Sequence, residues 1–138
     1  LETANSQDFE EEVSNTGAKA PRFIKSDVLN PGSLSGTFDI MLSNPPYVKD
    51  SEKALMRGNV LDHEPHLALF VPDDDALKFY EAIAQIAART LSSQGFGIVE
   101  INEALGAETE QVFIKAGFVK TAVLKDLSDR NRFVFFSH

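Results

Sequence analysis

Hydrophobic and polar positions divide this chain into blocks of two periods. Phe38-Asp39-Ile40-Met41-Leu42-Ser43 has the length and apolar content of a buried strand, and Asn44-Pro45-Pro46-Tyr47 stops it. Phe96-Gly97-Ile98-Val99-Glu100-Ile101 reads as another strand, entered through a Gln94-Gly95 turn. Residues 118–124 and 132–136 are strand-like on either side of a polar connection, which suits an antiparallel terminal pair. Arg22-Phe23-Ile24-Lys25 reads as one further short strand, ending at Ser26-Asp27.

Two stretches carry helical spacing instead. After Pro72-Asp73-Asp74-Asp75, polar Lys78, Glu81, Gln85 and Arg89 alternate with Leu77, Tyr80, Ile83, Ala84, Ala87 and Leu91, the face expected to be buried. The three carboxylates suit the free N–H groups and dipole of a helix start. Residues 106–116 form a second amphipathic pattern that Gly117 ends. Helices between strands predict an α/β fold with a mixed sheet: parallel strands at 22–25, 38–43 and 96–101, then an antiparallel end. Residues 1–20 are polar and interrupted, a helix end or a disordered leader before a single domain.

Composition narrows the classes. A chain of 138 residues has the length of one domain, and 43% hydrophobic with 25% charged residues is ordinary globular usage. No apolar run approaches the roughly 20 residues that cross a bilayer, and Leu1-Glu2-Thr3-Ala4-Asn5 lacks the basic and apolar parts of a signal peptide. Zero cysteines exclude disulfides and thiolate metal sites and fit a cytoplasmic protein. A formal charge of −8 weakens attraction to phosphate backbones, so neither direct nucleic-acid binding nor a membrane partner is expected. His63, His66 and His138 lack the spacing of a zinc motif, and no metal is expected.

The chemistry gathers where the central strand stops. Pro45 and Pro46 hold the chain extended, so the corner is stiff and non-helical. In open α/β sheets ligands bind at the carboxyl ends of strands. There the Asn44 side-chain oxygen and the Pro45 carbonyl can each accept one N–H of a planar NH2 group, while Tyr47 lies against its flat face. Two fixed acceptors orient a nitrogen and stabilise positive charge building on it. Equally, a bare Asn-Pro-Pro is a common turn, with Tyr47 as a core or rim aromatic.

The tetrapeptide, behind a Phe-Asp-apolar strand, resembles the Asn/Asp-Pro-Pro-Tyr/Phe/Trp motif of S-adenosylmethionine-dependent methyltransferases acting on planar nitrogens. That class includes adenine-N6, guanine-N2 and glutamine-N5 enzymes. Residues 59–70, with Glu64-Pro65 and Ala68-Leu69, resemble the Glu-Pro-x-x-Ala-Leu segment of the HemK/PrmC family. Glu100-Ile101, Lys125-Asp126-Leu127 and Arg132 also stand where that family has similar residues. The resemblance runs from about Arg22 to the end.

It implies a three-layer, Rossmann-like class I methyltransferase fold. It further implies methylation of the glutamine side-chain amide in the Gly-Gly-Gln motif of class 1 peptide chain release factors, in the cytoplasm. Carried onto these positions, Asn44 and Pro45 are catalytic. Asn44, Pro45, Pro46, Tyr47 and Glu64 bind substrate, and Asp27 and Asn44 bind the cofactor. Asp27 would meet the adenine edge, against the plainer reading of an Asx turn; Glu64 would steer the substrate loop or pair locally. A DNA or RNA amino-methyltransferase using the same corner is the alternative enzyme, and a non-catalytic module the alternative of another class.

The family pattern is incomplete here. It places a glycine-rich turn after a first strand and an acid after the second, and neither is found among the eight scattered glycines. The expectation is therefore a partial domain, inactive alone. Its strand at 38–43 would have an unpaired apolar edge, relieved by homodimerisation or by the 22–25 strand moving alongside.

Overall fold

The computed structural model describes residue 21 and residues 23–32, 34–55 and 70–138. Strand β1, Phe38–Ser43, exits through the double proline to β2, Val48–Lys49, and a 3-10 turn at Asp50–Leu55. Strand β3 (Phe70–Val71) pairs with β2 in parallel, Val48 against Phe70. Helix α1, Lys78–Thr90, leads directly into β4, Leu91–Glu100, and helix α2, Gly106–Lys115, leads into the hairpin of β5, Lys120–Lys125, and β6, Asn131–Ser137.

The main sheet has the order β1-β4-β6-β5, with β1 parallel to β4 and both other pairs antiparallel. The strand at 38–43 and the antiparallel terminal pair form as the sequence predicts, but β1, read as a buried strand, is mostly exposed because it stands at the edge of the sheet. Period-2 alternation sorts the residues of these strands onto two faces. Val99, Val134 and Phe136 are fully buried and pack with Tyr80 and Ile83 of α1 and Phe113 of α2. The rings of Phe113 and Phe136 stack at 4.1 Å and Phe118 leans on Phe136 at 4.9 Å, each pair worth about 1 kcal/mol beyond its buried area. The opposite face carries Ile40 and Leu42, 57% and 72% exposed, and a Phe96–Phe135 stack. Among the described residues no helix covers it, so they supply two of the three layers.

Four sequence expectations change. Residues 23–25 are not a strand; a strand exists only as part of a ladder, and no sheet ladder among the described residues includes them. Gln94-Gly95 is not a turn but part of β4. Phe38 pairs with Leu91 while Ile40 pairs with Phe96, so residues 92–95 bulge out of register. Gly95 allows this because a Cβ there would stand 2.8 Å from the Asp39 carbonyl oxygen. The triple Asp forms a 3-10 turn ahead of α1 and does not cap that helix: the N-cap is Leu77, without a side-chain bond, and Asp73 instead accepts from the N–H and hydroxyl of Ser51, at the start of the 50–55 turn. Leu91, expected on the buried helical face, is buried as the first residue of β4.

Helix α2 ends as expected, with Gly117 at φ 103°. The two edges of the main sheet differ. β5 begins and ends with exposed lysines, Lys120 and Lys125, whereas β1 shows Phe38, Ile40 and Leu42. No helix among the described residues is long and apolar enough to cross a membrane.

Candidate active site

Asn44 follows the last residue of β1 at the carboxyl end of the parallel pair, where Ser43 lies opposite Val99. The Asn44 residue is exposed and Pro45 is buried, so the elbow is anchored by its proline and presents its amide outward. Among the described residues, neither the Asn44 side chain nor the Pro45 carbonyl has a hydrogen-bond partner. Asn44 and Glu100 line a cavity of about 310 Å3 whose floor is Leu42, Ile98 and Phe133 on the open face of the sheet. Pro46 is half-buried.

Tyr47 is also half-buried, its ring packed against the core. Its hydroxyl donates to Glu100 Oε1 at 2.5 Å, and its carbonyl accepts from Asn102 Nδ2 at 3.2 Å. Burial pushes the Tyr47 phenol up to about 12, and the hydrogen bond to the Glu100 carboxylate adds to that. Tyr80, donating to the Glu100 carbonyl at 3.2 Å, is raised still further, chiefly by burial.

Asn102, 7% exposed, uses both polar atoms of its side chain. Nδ2 also donates to Glu52 Oε2 at 2.8 Å, and Oδ1 accepts from the Ala104 N–H at 3.0 Å. Glu52 Oε2 accepts from the Lys49 N–H at 2.8 Å. Behind Glu100 the Arg132 guanidinium donates twice to Asp126 Oδ2, from Nε at 3.1 Å and Nη2 at 3.0 Å. Asp126 is held below the usual carboxylate range, first by the Arg130 N–H, and Arg132 is raised, first by its bond to Asp126. Glu100 and Asn102 had no role in the sequence-based site. The available signal was a carboxylate between two core positions, Val99 and Ile101, at a strand's carboxyl end.

Asp27 stands elsewhere. Its Oδ1 accepts from the Leu29 N–H at 3.0 Å and its carbonyl from the Asn30 N–H at 3.0 Å, an Asx turn. It lines a cavity of about 980 Å3 with Lys25 and Phe38, by the amino end of β1, which shares no lining residue with the cavity at Asn44. The structure therefore does not bring Asp27 and Asn44 into one site. Glu64, His63 and His66 lie outside the described residues.

Comparison with known proteins agrees with the sheet. The chain is 45% identical over 112 residues to the release factor glutamine methyltransferase of Flavobacterium psychrophilum, covering 81% of this chain and 39% of that protein. It is 41% identical over 111 residues to the same enzyme of Bacteroides thetaiotaomicron, covering 80% of this chain and 40% of that protein. A bifunctional methyltransferase of Rickettsia felis matches at 37% over 100 residues, 72% of this chain and 19% of that protein. No protein-family model matches the chain.

With these relatives, the mixed sheet and its helical layer define part of a class I methyltransferase fold. The chain belongs to the HemK/PrmC family, and the relatives it matches over four fifths of its own length are named release factor glutamine methyltransferases. It spans about two fifths of the length of the first two relatives.

S-adenosylmethionine, which the class implies, needs donors and acceptors for its adenine, ribose and amino acid parts converging on one cleft. The described residues do not fit that need. Asp27 and Asn44 border separate cavities, and the Asp27 carboxylate is already engaged by its own turn.

Proposed function

We propose that this chain supplies the acceptor side of an S-adenosylmethionine-dependent methyltransferase. Its substrate is the side-chain amide nitrogen of the Gly-Gly-Gln glutamine in class 1 release factors, met in the cytoplasm. The observation that carries this is the exposed Asn44 amide at the carboxyl end of β1, beside a Pro45 carbonyl without a partner among the described residues.

An amide NH2 has two N–H donors, and Asn44 and Pro45, adjacent in the chain, offer two oxygen acceptors. Asn44 Oδ1 takes one N–H and the Pro45 oxygen the other, which fixes the nitrogen in orientation. As positive charge builds on that nitrogen, the same oxygens stabilise it. The prolines fix the backbone beforehand, so little reorganisation is needed at the moment of reaction. The accessible part of the Tyr47 ring lies against the flat face of the amide, over Pro46. Glu64, outside the described residues, keeps the role the family resemblance implies, steering the substrate loop or pairing locally. This reading concerns the acceptor alone, because the described residues form no donor cleft.

Strand β1 has a second role in this reading. Its apolar edge is where the isolated chain associates with a second copy.

The test uses the full-length protein with labelled methyl donor, offered a release factor, the same factor with its Gly-Gly-Gln glutamine replaced, DNA and RNA. Label is expected on the release factor only while the glutamine is present; label on nucleic acid alone overturns the reading in favour of a base-modifying enzyme. Asn44→Ala is expected to cut turnover about 100-fold, in line with the loss of one positioning contact, with donor affinity unchanged. Equal loss of turnover and donor affinity would make Asn44 a structural residue.

A further inference from the structure

The prolines stiffen the acceptor corner internally, but it is short and lies on a loop, so where its two oxygens point depends on how the loop is anchored to the sheet. We propose that Glu100 and Asn102, at the carboxyl end of β4, are positioning residues that clamp Tyr47 at both ends and thereby fix where Asn44 and the Pro45 carbonyl point. The proposal deepens the acceptor-site reading and rests on it.

The clamp has two jaws. At the ring end, the Tyr47 hydroxyl donates to Glu100 Oε1 at 2.5 Å, short enough for a charge-assisted bond to carboxylate. At the backbone end, Asn102 Nδ2 donates to the Tyr47 carbonyl at 3.2 Å. A residue held at its carbonyl and at the far tip of its side chain can neither translate nor rotate. Pro46 and Pro45, directly before it, have locked φ angles and pass the constraint back to Asn44.

The jaws are themselves held. Asn102 is 7% exposed and is tied to the Ala104 N–H and to Glu52 Oε2, while Glu52 in turn holds the Lys49 N–H of β2. Glu100 is continuous with the central strand, its neighbours Val99 and Ile101 being fully buried. Glu100 also borders the cavity that Asn44 borders, so the group that holds Tyr47 stands at the acceptor site itself. Tyr47 and Glu100 touch no donor-binding feature among the described residues, so the clamp acts on the acceptor side.

The experiment is steady-state kinetics of the full-length protein with a release factor as acceptor, comparing Glu100→Ala, Tyr47→Phe, their double variant, Glu100→Gln and Asn44→Ala, each melted thermally. Glu100→Ala and Tyr47→Phe are expected to lower kcat at least tenfold, with the KM for the donor unchanged. The double variant is expected to lose no more than the worse single one, because both remove one bond. Glu100→Gln keeps an acceptor for the hydroxyl and recovers most of the loss. Glu100→Ala retaining parental kcat, or the two single losses multiplying in the double variant, overturns the clamp while leaving the acceptor reading intact provided Asn44→Ala is impaired. A fully active Asn44→Ala overturns the acceptor reading and the clamp with it. Glu100→Gln as impaired as Glu100→Ala, with both melting far below the parent, also overturns it, since Glu100 then serves folding.

Discussion

Tyr47 and Glu100 stand 53 positions apart in the chain and meet in a 2.5 Å hydrogen bond at the end of the parallel strand pair. The bond joins the loop that follows the double proline to the strand at the centre of the sheet, and it places a partly buried carboxylate at the edge of the cavity that Asn44 also lines.

The Tyr47 phenol predicts behaviour in alkali. Its pKa is raised in the folded state to about 12, against about 10 in an unfolded chain. A group raised in this way contributes stability that is complete below pH of about 10 and is lost as pH rises through its folded value. Melting temperature is therefore expected to fall between pH of about 10 and 12. Tyr47→Phe should flatten the Tyr47 share of that fall and remove about 1 kcal/mol near neutrality, the worth of one hydrogen bond. Unchanged alkaline melting in the variant would disprove the coupling.

Asp126 predicts the opposite limb. Its carboxylate accepts from the Ser128 and Arg130 N–H groups and twice from Arg132, and its pKa is lowered. Its contribution is present above the unfolded value of about 3.9 and is lost as pH falls through the lowered folded value. Asp126→Asn should narrow the difference in melting temperature between neutral and acid solutions. An acid limb identical to the parent's would show that another carboxylate governs it.

Asp129 holds φ at 62°, the left-handed region, in the turn between β5 and β6. Asp tolerates that region better than most side chains, and here it also reaches Lys125 Nζ at 2.9 Å, an exposed pair of little weight. Asp129→Ala is expected to lower stability by about 1 kcal/mol and Asp129→Gly to leave it level or raise it. Equal melting of Ala and Gly variants would contradict the backbone argument.

Ile40 tests the bare edge. At 57% exposure on β1, Ile40→Lys puts a charge where a second copy would pair. Light scattering of the isolated chain is expected to show mass falling from dimer towards monomer. A dimer that survives the substitution would lie on some other surface.

Much of the fold is legible because its signals are local. Ile40-Met41-Leu42 before two prolines marks a strand and its end, and Gly117 marks the end of α2. The failures share one cause, dependence on a neighbour distant in sequence. Residues 23–25 have the composition of a strand but find no ladder among the described residues. Gly95 looks like turn punctuation until the Asp39 carbonyl oxygen is seen to occupy the space a Cβ there would need. The Asp triplet suits a cap, yet Asp73 is taken by Ser51 from across the chain. At the site, Asn44 and Pro45 could be singled out because proline chemistry is local, while Glu100 and Asn102 act through partners about 50 positions away.

The contrast between the sheet's lysine-bounded β5 side and its greasy β1 side gives the molecule a direction. Any further strand, whatever its origin, is repelled at one flank and welcomed at the other, and the welcoming flank runs straight into the asparagine elbow. In the acceptor reading, completing the architecture and shaping the site happen at the same address, and whatever docks there becomes a wall of the cavity beside Asn44.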